Sequence, residues 1–175
     1  MIIHGGLNGS DGVHCKGNCT LENVHWEDVC EDAATMLGGA GKVMNVIGGS
    51  ASHASDKVFQ HNGIGSTIKI SGFAADTIGK LYRSCGNCSS NGKARYVTID
   101  NVKLNKVNSA VVGINSNYGD VATIKNLQIL VNALAQSNEQ IVQFSSHVAS
   151  VSQVLAQSSA GLDSTLGTLN QAGAA

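Results

Sequence analysis

The sequence contains no proline and few aromatic residues, which make up 4% of its 175 positions. Charged residues are also scarce, at 13%, and the formal net charge is −1. A chain with no basic excess lacks the positive field that recruits nucleic acid, and we expect no nucleic-acid partner. No apolar run reaches the roughly 18 residues that a transmembrane helix needs, so we expect no membrane span.

Glycine, in contrast, is abundant, with 21 residues, and Asn, Ser and Thr are frequent. These residue types favour turns and loops between short elements. Apolar residues make up 42% of the chain, which is too many for an intrinsically disordered protein. The composition therefore predicts one folded domain with many turns and a β-rich core.

Five related segments recur along the chain. They are TLENV at 20, VMNVI at 43, TIKIS at 67, TIDNV at 98 and TIKNL at 123, with spacings of 23, 24, 31 and 25 residues. Each reads as a short β-strand followed by a turn, and a period near 24 is typical of a right-handed parallel β-helix. We predict this all-β solenoid fold for residues 1–126.

A second set of segments follows the first: EDAAT from 31, DKVFQ from 56 and GKLYR from 79. Aligning their apolar pairs stacks two columns of polar residues, Asp32 with Lys57 and Lys80, and Thr35 with Gln60 and Arg83. Stacked coils lie roughly 4.8 Å apart, so both columns would lie close together on one sheet face. The alignment predicts a strip of basic side chains beside a carboxylate.

Four of the twelve acidic residues lie within six positions, in WEDVCEDA at residues 26–33. Like charges this close raise one another's pKa unless a cation or hydrogen-bond donors compensate them. Two interpretations remain open from the residues alone. The carboxylates either separate in a solvated turn or share a metal ion.

The cysteines favour an oxidising compartment. Cys15 and Cys19 are four residues apart, Cys85 and Cys88 form a C-x-x-C, and Cys30 is the odd residue. We predict two short-range disulfides; a zinc site built from both pairs and free structural thiols are the alternatives. We therefore expect a secreted, extracellular protein, although MIIHGGLNGS lacks the features of a signal peptide, as in a mature or truncated form.

Residues 127–175 differ in character, with less glycine and charge and more Leu, Val, Ala, Ser and Gln. Apolar residues recur every seven positions from Leu127 to Leu169, which is a helical pattern with coiled-coil spacing. We predict an α-helical C-terminal extension that packs on the end or side of the β-helix. Self-association through its apolar seam and a flexible extension are the alternatives.

Four motifs occur in order: DGVHCKGNCTLENVHWEDVCEDA, ASDKVFQHNG, GKLYRSCGNC and GINSNYGD. Together they resemble family 3 pectate lyases, especially secreted microbial ones, over residues 11 to about 125. The resemblance implies a parallel β-helix that cleaves polygalacturonate by Ca²⁺-dependent β-elimination and yields 4,5-unsaturated oligogalacturonides, as in the degradation of plant cell wall pectin. Family members usually have further coils before the first motif, which this chain is expected to lack.

For the metal, the resemblance implies three carboxylate ligands, Asp11, Glu31 and Asp32. Ca²⁺ prefers oxygen donors, and three carboxylates leave coordination positions for water and for a carboxylate of the substrate. The ion would stabilise the negative charge that develops when the proton α to that carboxylate is removed.

For catalysis, the resemblance implies Lys57, Lys80 and Arg83. Arginine stays protonated in nearly all surroundings, whereas the pKa of lysine falls readily beside other cations and on loss of water. We therefore predict that Lys57 is the base and has a depressed pKa. Lys80 and Arg83 would pair with substrate carboxylates, Arg83 in the bidentate manner of a guanidinium.

Two other functions are compatible with the sequence. A degenerate or fragmentary β-helix would bind acidic polysaccharide without cleaving it. A polygalacturonate hydrolase would need two carboxylates flanking the scissile bond, and a lysine-rich strip beside carboxylates fits that chemistry poorly. Among the remaining motif residues, His61 and Trp26 are predicted to be structural, and Tyr82 is either a core residue or a platform for a sugar ring.

Overall fold

A computed structural model describes residues 1–5 and 12–130 of the chain. Within them lie twelve β-strands: β1 (Ile2–Ile3), β2 (Val13–Cys15), β3 (Cys19–Glu22), β4 (His25–Trp26), β5 (Asp32–Met36), β6 (Val43–Ile47), β7 (Ser50–Ser52), β8 (Lys57–His61), β9 (Thr67–Ser71), β10 (Ala74–Ser84), β11 (Tyr96–Gly113) and β12 (Val121–Ile129). A 3-10 turn spans Ser116–Tyr118. None of the described residues belongs to a helix that is long and apolar enough to cross a membrane.

The strands stack in parallel into three faces. The first face contains β3, β6, β9 and the starts of β11 and β12. The second contains β1, β4, β7, the start of β10, the middle of β11 and the end of β12. The third contains β2, β5, β8 and the ends of β10 and β11. This arrangement confirms the predicted parallel β-helix.

The first face carries the five repeated segments of the sequence. Its inward positions form a buried column of branched aliphatic side chains: Leu21, Val46, Ile70, Ile99 and Ile124. Each coil therefore buries its apolar side against its neighbours, as a solenoid requires. Paired positions are 24 or 25 residues apart, except that Lys69 pairs with Thr98, 29 residues later. The additional residues lie in the loop 85–95.

Each coil leaves the first face through a residue in the left-handed region. The residues at this corner are Asn23, Gly48, Gly72, Asn101 and Asn126, with φ between 48° and 63°. Glycine has no Cβ to clash in this region, and asparagine tolerates it better than most residues do. This backbone requirement explains why the repeated segments are closed by Asn or Gly.

The second face has no counterpart among the predicted strands. Its inward column consists of Trp26, Ala51, Ala75 and Leu104. Trp26 is buried and packs edge-on against two phenylalanines, Phe59 and Phe73, with ring centroids 6.3 Å apart in both pairs. The small residues in the next coils leave room for these rings. Trp26 is therefore structural, as predicted.

Two disulfides form as predicted, Cys15 with Cys19 and Cys85 with Cys88. A zinc site that uses both pairs is therefore wrong, and Cys30 belongs to neither disulfide. The predicted start of the helical tail also needs correction. Residues 127–129 belong to β12, because Leu127 pairs with Val102 and the ladder continues from there. The rest of the predicted tail, residues 131–175, lies outside the described residues.

Candidate functional site

The third face carries two columns of polar side chains in the order predicted from the sequence alignment. One column contains Asp32, Lys57 and Lys80. The other contains Thr35, Gln60 and Arg83. The parallel register between coils therefore confirms the alignment, and it brings residues that are far apart in sequence into adjacent positions.

A departure from strict alternation brings both columns to the accessible side of the face. In β8, two consecutive buried residues, Val58 and Phe59, separate the half-buried Lys57 and Gln60. Residues 80–83 of β10 repeat this pattern. Strict alternation would put residues three apart on opposite sides of a sheet. Two successive inward residues keep them on the same side.

Asp56 bridges the two lysines of the first column. Like charges directly opposite each other in a ladder are destabilising, and Lys57 lies opposite Lys80. The Asp56 carboxylate contacts Lys57 Nζ at 2.6 Å through Oδ2 and Lys80 Nζ at 2.7 Å through Oδ1. The hydrogen bond from Lys57, followed by that from Lys80, lowers the pKa of Asp56. The alignment contained Asp56, as the first residue of DKVFQ, but gave it no role, because Asp56 precedes β8 and belongs to neither column.

Lys57 also contacts Asp32, with 3.0 Å between Nζ and Oδ1. Burial lowers the pKa of Lys57, but the hydrogen bonds to Asp56 and Asp32 outweigh burial, so the pKa lies above its ordinary value. In the chain without substrate, the pKa of Lys57 is therefore shifted in the direction opposite to that predicted from the sequence. The prediction counted the neighbouring cations and left out the carboxylate of Asp56.

The predicted calcium ligands are only partly described. Asp32 is the buried first residue of β5, Glu31 lies in the exposed bend before it, and Asp11 lies outside the described residues. Gly12 donates its backbone N–H to Asp32 O at 2.8 Å, and a Cβ on Gly12 would lie 2.6 Å from Ala33 O. The part of the chain that the structure describes contains no group of three metal-ligating side chains.

Arg83 differs from both lysines. Its side chain is half-buried, and within residues 1–5 and 12–130 it forms no hydrogen bond or ion pair. Lys57 and Lys80, in contrast, share the carboxylate of Asp56. Arg83 is therefore the cation of the two columns whose donors are available to an anion.

A polar network lies inside the third face, below these columns. Ser66 Oγ donates to Gly63 O at 2.7 Å, so it accepts a hydrogen bond from His61 Nε2, also at 2.7 Å. His61 Nδ1 then accepts from Tyr82 Oη at 2.8 Å, and Tyr82 accepts from Ser84 at 3.0 Å. Burial lowers the pKa of His61 to about 3, so the imidazole is neutral. His61 is structural, as predicted, and the buried Tyr82 is a core residue.

The loop 85–95 is fixed beside Arg83 by polar groups to which the sequence analysis gave no role, although two of them lie in the motif GINSNYGD. Asp120 accepts from the backbone N–H groups of Arg95 at 2.8 Å and Asn115 at 3.0 Å. Asn115 Nδ2 donates to Cys85 O at 2.9 Å, and Arg95 Nη2 donates to Asn62 O at 2.8 Å. The second disulfide is thereby anchored to both neighbouring coils.

Comparison with known proteins identifies one family. A profile of the family described as "Pectate lyase" matches residues 2–149. Probable pectate lyase D of Emericella nidulans is 56% identical over 120 residues, which cover 69% of this chain and 44% of that protein. Probable pectate lyase F of Aspergillus terreus is 54% identical over 123 residues, which cover 70% of this chain and 51% of that protein. The chain spans about half the length of the curated relatives it matches.

Solved structures agree with this assignment. Pectate lyase PelI from Erwinia chrysanthemi in complex with tetragalacturonic acid matches with a TM-score of 0.62 and 50% identity, over 69% of this chain and 41% of that chain. A pectate lyase from Pectobacterium carotovorum matches with a TM-score of 0.62 and 41% identity, over 73% of this chain and 43% of that chain. The matched coils of this chain share the fold of these proteins.

Proposed function

The chain belongs to the pectate lyase family, and from this membership we propose that it cleaves polygalacturonate by β-elimination. The observation that carries the proposal is the ladder in which Asp32, Lys57 and Lys80 are consecutive partners, with Arg83 in the adjacent column. This arrangement places a carboxylate beside a lysine, and next to them two more cations that could bind the carboxylates of an acidic polymer. The relative crystallised with tetragalacturonic acid supports an oligogalacturonate as the substrate class.

Asp11, Glu31 and Asp32 are the proposed ligands of a calcium ion. Their donors are carboxylate oxygens, the type that Ca²⁺ prefers. The hydrogen bond from Gly12 N to Asp32 O supports the assignment, since Gly12 directly follows Asp11 in the chain. When bound, the ion would supply positive charge beside the substrate carboxylate whose α-proton is removed.

Lys57 is the proposed base. In the elimination, Lys57 acts as the neutral amine, after its ammonium has released a proton to solvent, and Nζ takes the proton from C5 of a galacturonate. The electrons of the C5–H bond form the C4–C5 double bond, the C4–O bond to the leaving chain breaks, and the leaving oxygen takes up a proton from solvent. Two carboxylates hold the Lys57 ammonium, those of Asp56 and Asp32. Asp56 also contacts Lys80, and Asp32 is also a proposed metal ligand, so each carboxylate has a second positive partner.

Arg83 is the proposed clamp for a substrate carboxylate. A guanidinium presents parallel N–H donors that fit a carboxylate in a bidentate pair, and no described residue competes for those of Arg83. Lys80 adds positive charge next to it, but its ammonium is shared with Asp56. Carboxylate binding by Arg83 therefore costs no existing ion pair.

One assay tests the reaction. Polygalacturonate is incubated with the protein, with and without a calcium chelator, and the ultraviolet absorbance of the unsaturated product is followed. Absorbance that grows only without chelator supports the proposal. Binding of polygalacturonate with no product would establish a non-catalytic binder instead, and new reducing ends without absorbance would establish hydrolysis.

We propose further that the protein acts outside the cell. The two disulfides support this location, because such bonds persist in oxidising environments. Polygalacturonate of the plant cell wall would be met in the same compartment. Detection of the protein in culture medium, rather than in the cell pellet, is the expected result.

A further inference from the structure

Arg83 is half-buried without any polar contact that fixes it. Among the described residues no carboxylate, carbonyl or hydroxyl accepts a hydrogen bond from its guanidinium. A long side chain without such a partner samples many rotamers, which costs free energy when a ligand is bound. The position of the guanidinium must therefore be set by the shape of its surroundings.

The next coil provides that shape through Gly113. Gly113 is the ladder partner of Arg83 and the last residue of β11. A Cβ on Gly113 would lie 2.6 Å from Arg83 Cδ and 3.2 Å from Nη1, so the arginine side chain lies directly over the Cα of Gly113. The φ of Gly113 lies outside the left-handed region, and its backbone therefore does not require glycine. Glycine is required at position 113 because a side chain there would collide with the side chain of Arg83.

Gly86 lies close to the other terminal nitrogen of the guanidinium. A Cβ on Gly86 would lie 3.1 Å from Arg83 Nη2 and 3.7 Å from Asn115 Oδ1. Gly86 lies between the cysteines of the second disulfide, whose loop is anchored by the hydrogen bond from Asn115 to Cys85. The guanidinium thus packs against the backbone at two glycines, Gly113 and Gly86.

We propose that Gly113 is a positioning residue for the reaction, and that its lack of a side chain lets Arg83 lie across the following coil with its donors free. The inference rests on the proposed function, in which Arg83 binds a substrate carboxylate. It also explains the direction of the side chain. Arg83 extends toward the coil after its own, where its side chain lies across Gly113.

The test is Gly113→Ala, compared with Gly39→Ala. The new methyl group at 113 meets a flexible side chain, so it displaces Arg83 and leaves the fold intact. Gly39 also has φ outside the left-handed region, and a Cβ there has no neighbour within 4 Å. We expect Gly113→Ala to raise KM for polygalacturonate about tenfold with kcat nearly unchanged, since a ground-state contact is lost. Gly39→Ala should behave as wild type.

A double-mutant cycle separates positioning from general damage. In the Arg83→Ala background, Gly113→Ala should change KM by less than about twofold, because the side chain through which it acts is gone. Equal effects of Gly113→Ala with and without Arg83 would overturn the proposal. A thermal midpoint equal to that of wild type shows that the variant is folded; if it is lowered, Gly86→Ala, the milder intrusion, replaces it in the cycle.

A measurement that needs no substrate keeps this inference distinct from the proposed function. ¹⁵N relaxation of the Arg83 Nε–H reports how far the guanidinium reorients on the ps–ns timescale. Restricted motion in wild type and free motion in Gly113→Ala would support the inference even if the protein does not cleave polygalacturonate. The same mobility in both proteins would overturn it even if cleavage is observed.

Discussion

The first and third faces of the β-helix are both built from parallel strands in register, but they differ in the side chains that they expose to solvent. The outward column of the first face contains Thr20, Asn45, Lys69, Thr98 and Thr123. This column has one charge, and the outward column beside it places Asp100 opposite Lys125, so no like charges face each other on the described part of this face. The third face stacks Lys57 directly on Lys80 and needs Asp56 to hold them together.

The difference shows that the third face carries a charge arrangement that folding alone does not favour. A lysine opposite a lysine weakens a ladder. The first face avoids this arrangement, whereas the third face contains it once, beside Asp32 and Arg83. Charges that lower stability and lie in one place are typical of a functional site.

The inner sides differ in the same sense. Below the first face, the inward column contains only aliphatic residues. Below the third face lies the network of His61, Tyr82, Ser66 and Ser84. The third face therefore contains titratable groups both outside and inside, whereas the inward column of the first face contains none.

The largest expected effect separates the lysines of the two faces. Lys57→Ala should lower kcat by about 10² to 10⁴, the loss typical of removing a general base. Lys69→Ala, on the outward column of the first face, should leave kcat unchanged. Rates are read from the absorbance of the unsaturated product. Equal losses in both variants would show that the third face has no special role.

Calcium binding should distinguish two aspartates in the same way. Asp32→Asn keeps the side-chain volume and removes one charged ligand, so calcium affinity should fall at least about tenfold. Asp100→Asn changes a first-face carboxylate that accepts a hydrogen bond from Asn126, and it should bind calcium as wild type does. Titration calorimetry measures both. Equal affinity in all three proteins would contradict the assignment of Asp32.

Acid should destabilise the protein through the interior of the third face. The pKa of His61 is about 3 in the folded chain, against an ordinary value of 6.5, so between these values the unfolded chain binds more protons. The free energy of unfolding should therefore fall as pH decreases from 6.5, by about 1.4 kcal/mol for each pH unit.

Urea denaturation at pH 6.5 and pH 4.5 measures this loss. His61→Gln keeps an amide donor and acceptor in place of the ring and does not titrate. We expect its free energy of unfolding to change much less between the two pH values than that of wild type. The same change in both proteins would assign the acid sensitivity to other groups.

The smallest expected effect concerns Asp56. Asp56→Asn removes the charge that Lys57 and Lys80 share, and it should lower the free energy of unfolding by at most about 1 kcal/mol, because the Asp56 side chain is 52% exposed and solvent screens its ion pairs. Added salt should reduce the loss by screening the two lysines. Asp76→Asn is the control, since Asp76 accepts a hydrogen bond from Thr77 and contacts no lysine. If Asp56→Asn loses no more free energy of unfolding than Asp76→Asn, and salt does not change that loss, then Asp56 does not couple the lysines.

The third-face columns could be predicted from the sequence because a parallel ladder preserves order. The apolar pairs Val58–Phe59 and Leu81–Tyr82 mark equivalent positions, so the polar residues beside them follow in register. The first face was predictable for a similar reason, since β-branched runs closed by Asn or Gly recur at nearly constant spacing. Both patterns are local and repeat in every coil.

Other features depend on contacts that no local pattern reveals. The second face uses small residues such as Ala51 and Ala75, which carry no alternation signal. Asp56 lies outside the strands, and its effect on Lys57 depends on which carboxylate reaches the ammonium. The need for glycine at 113 depends on the direction taken by an arginine in another coil.

The loop 85–95 shows where the β-helix tolerates a change in chain length. It lengthens one coil, yet after it Tyr96 pairs with Thr67 just as Thr67 pairs with Val43 in the coil before. The extra residues are therefore accommodated outside the ladders, and the strands on both sides keep their register. Residues could be grafted or removed at this corner, beside Arg83, without resetting the stacking of Lys57 on Lys80.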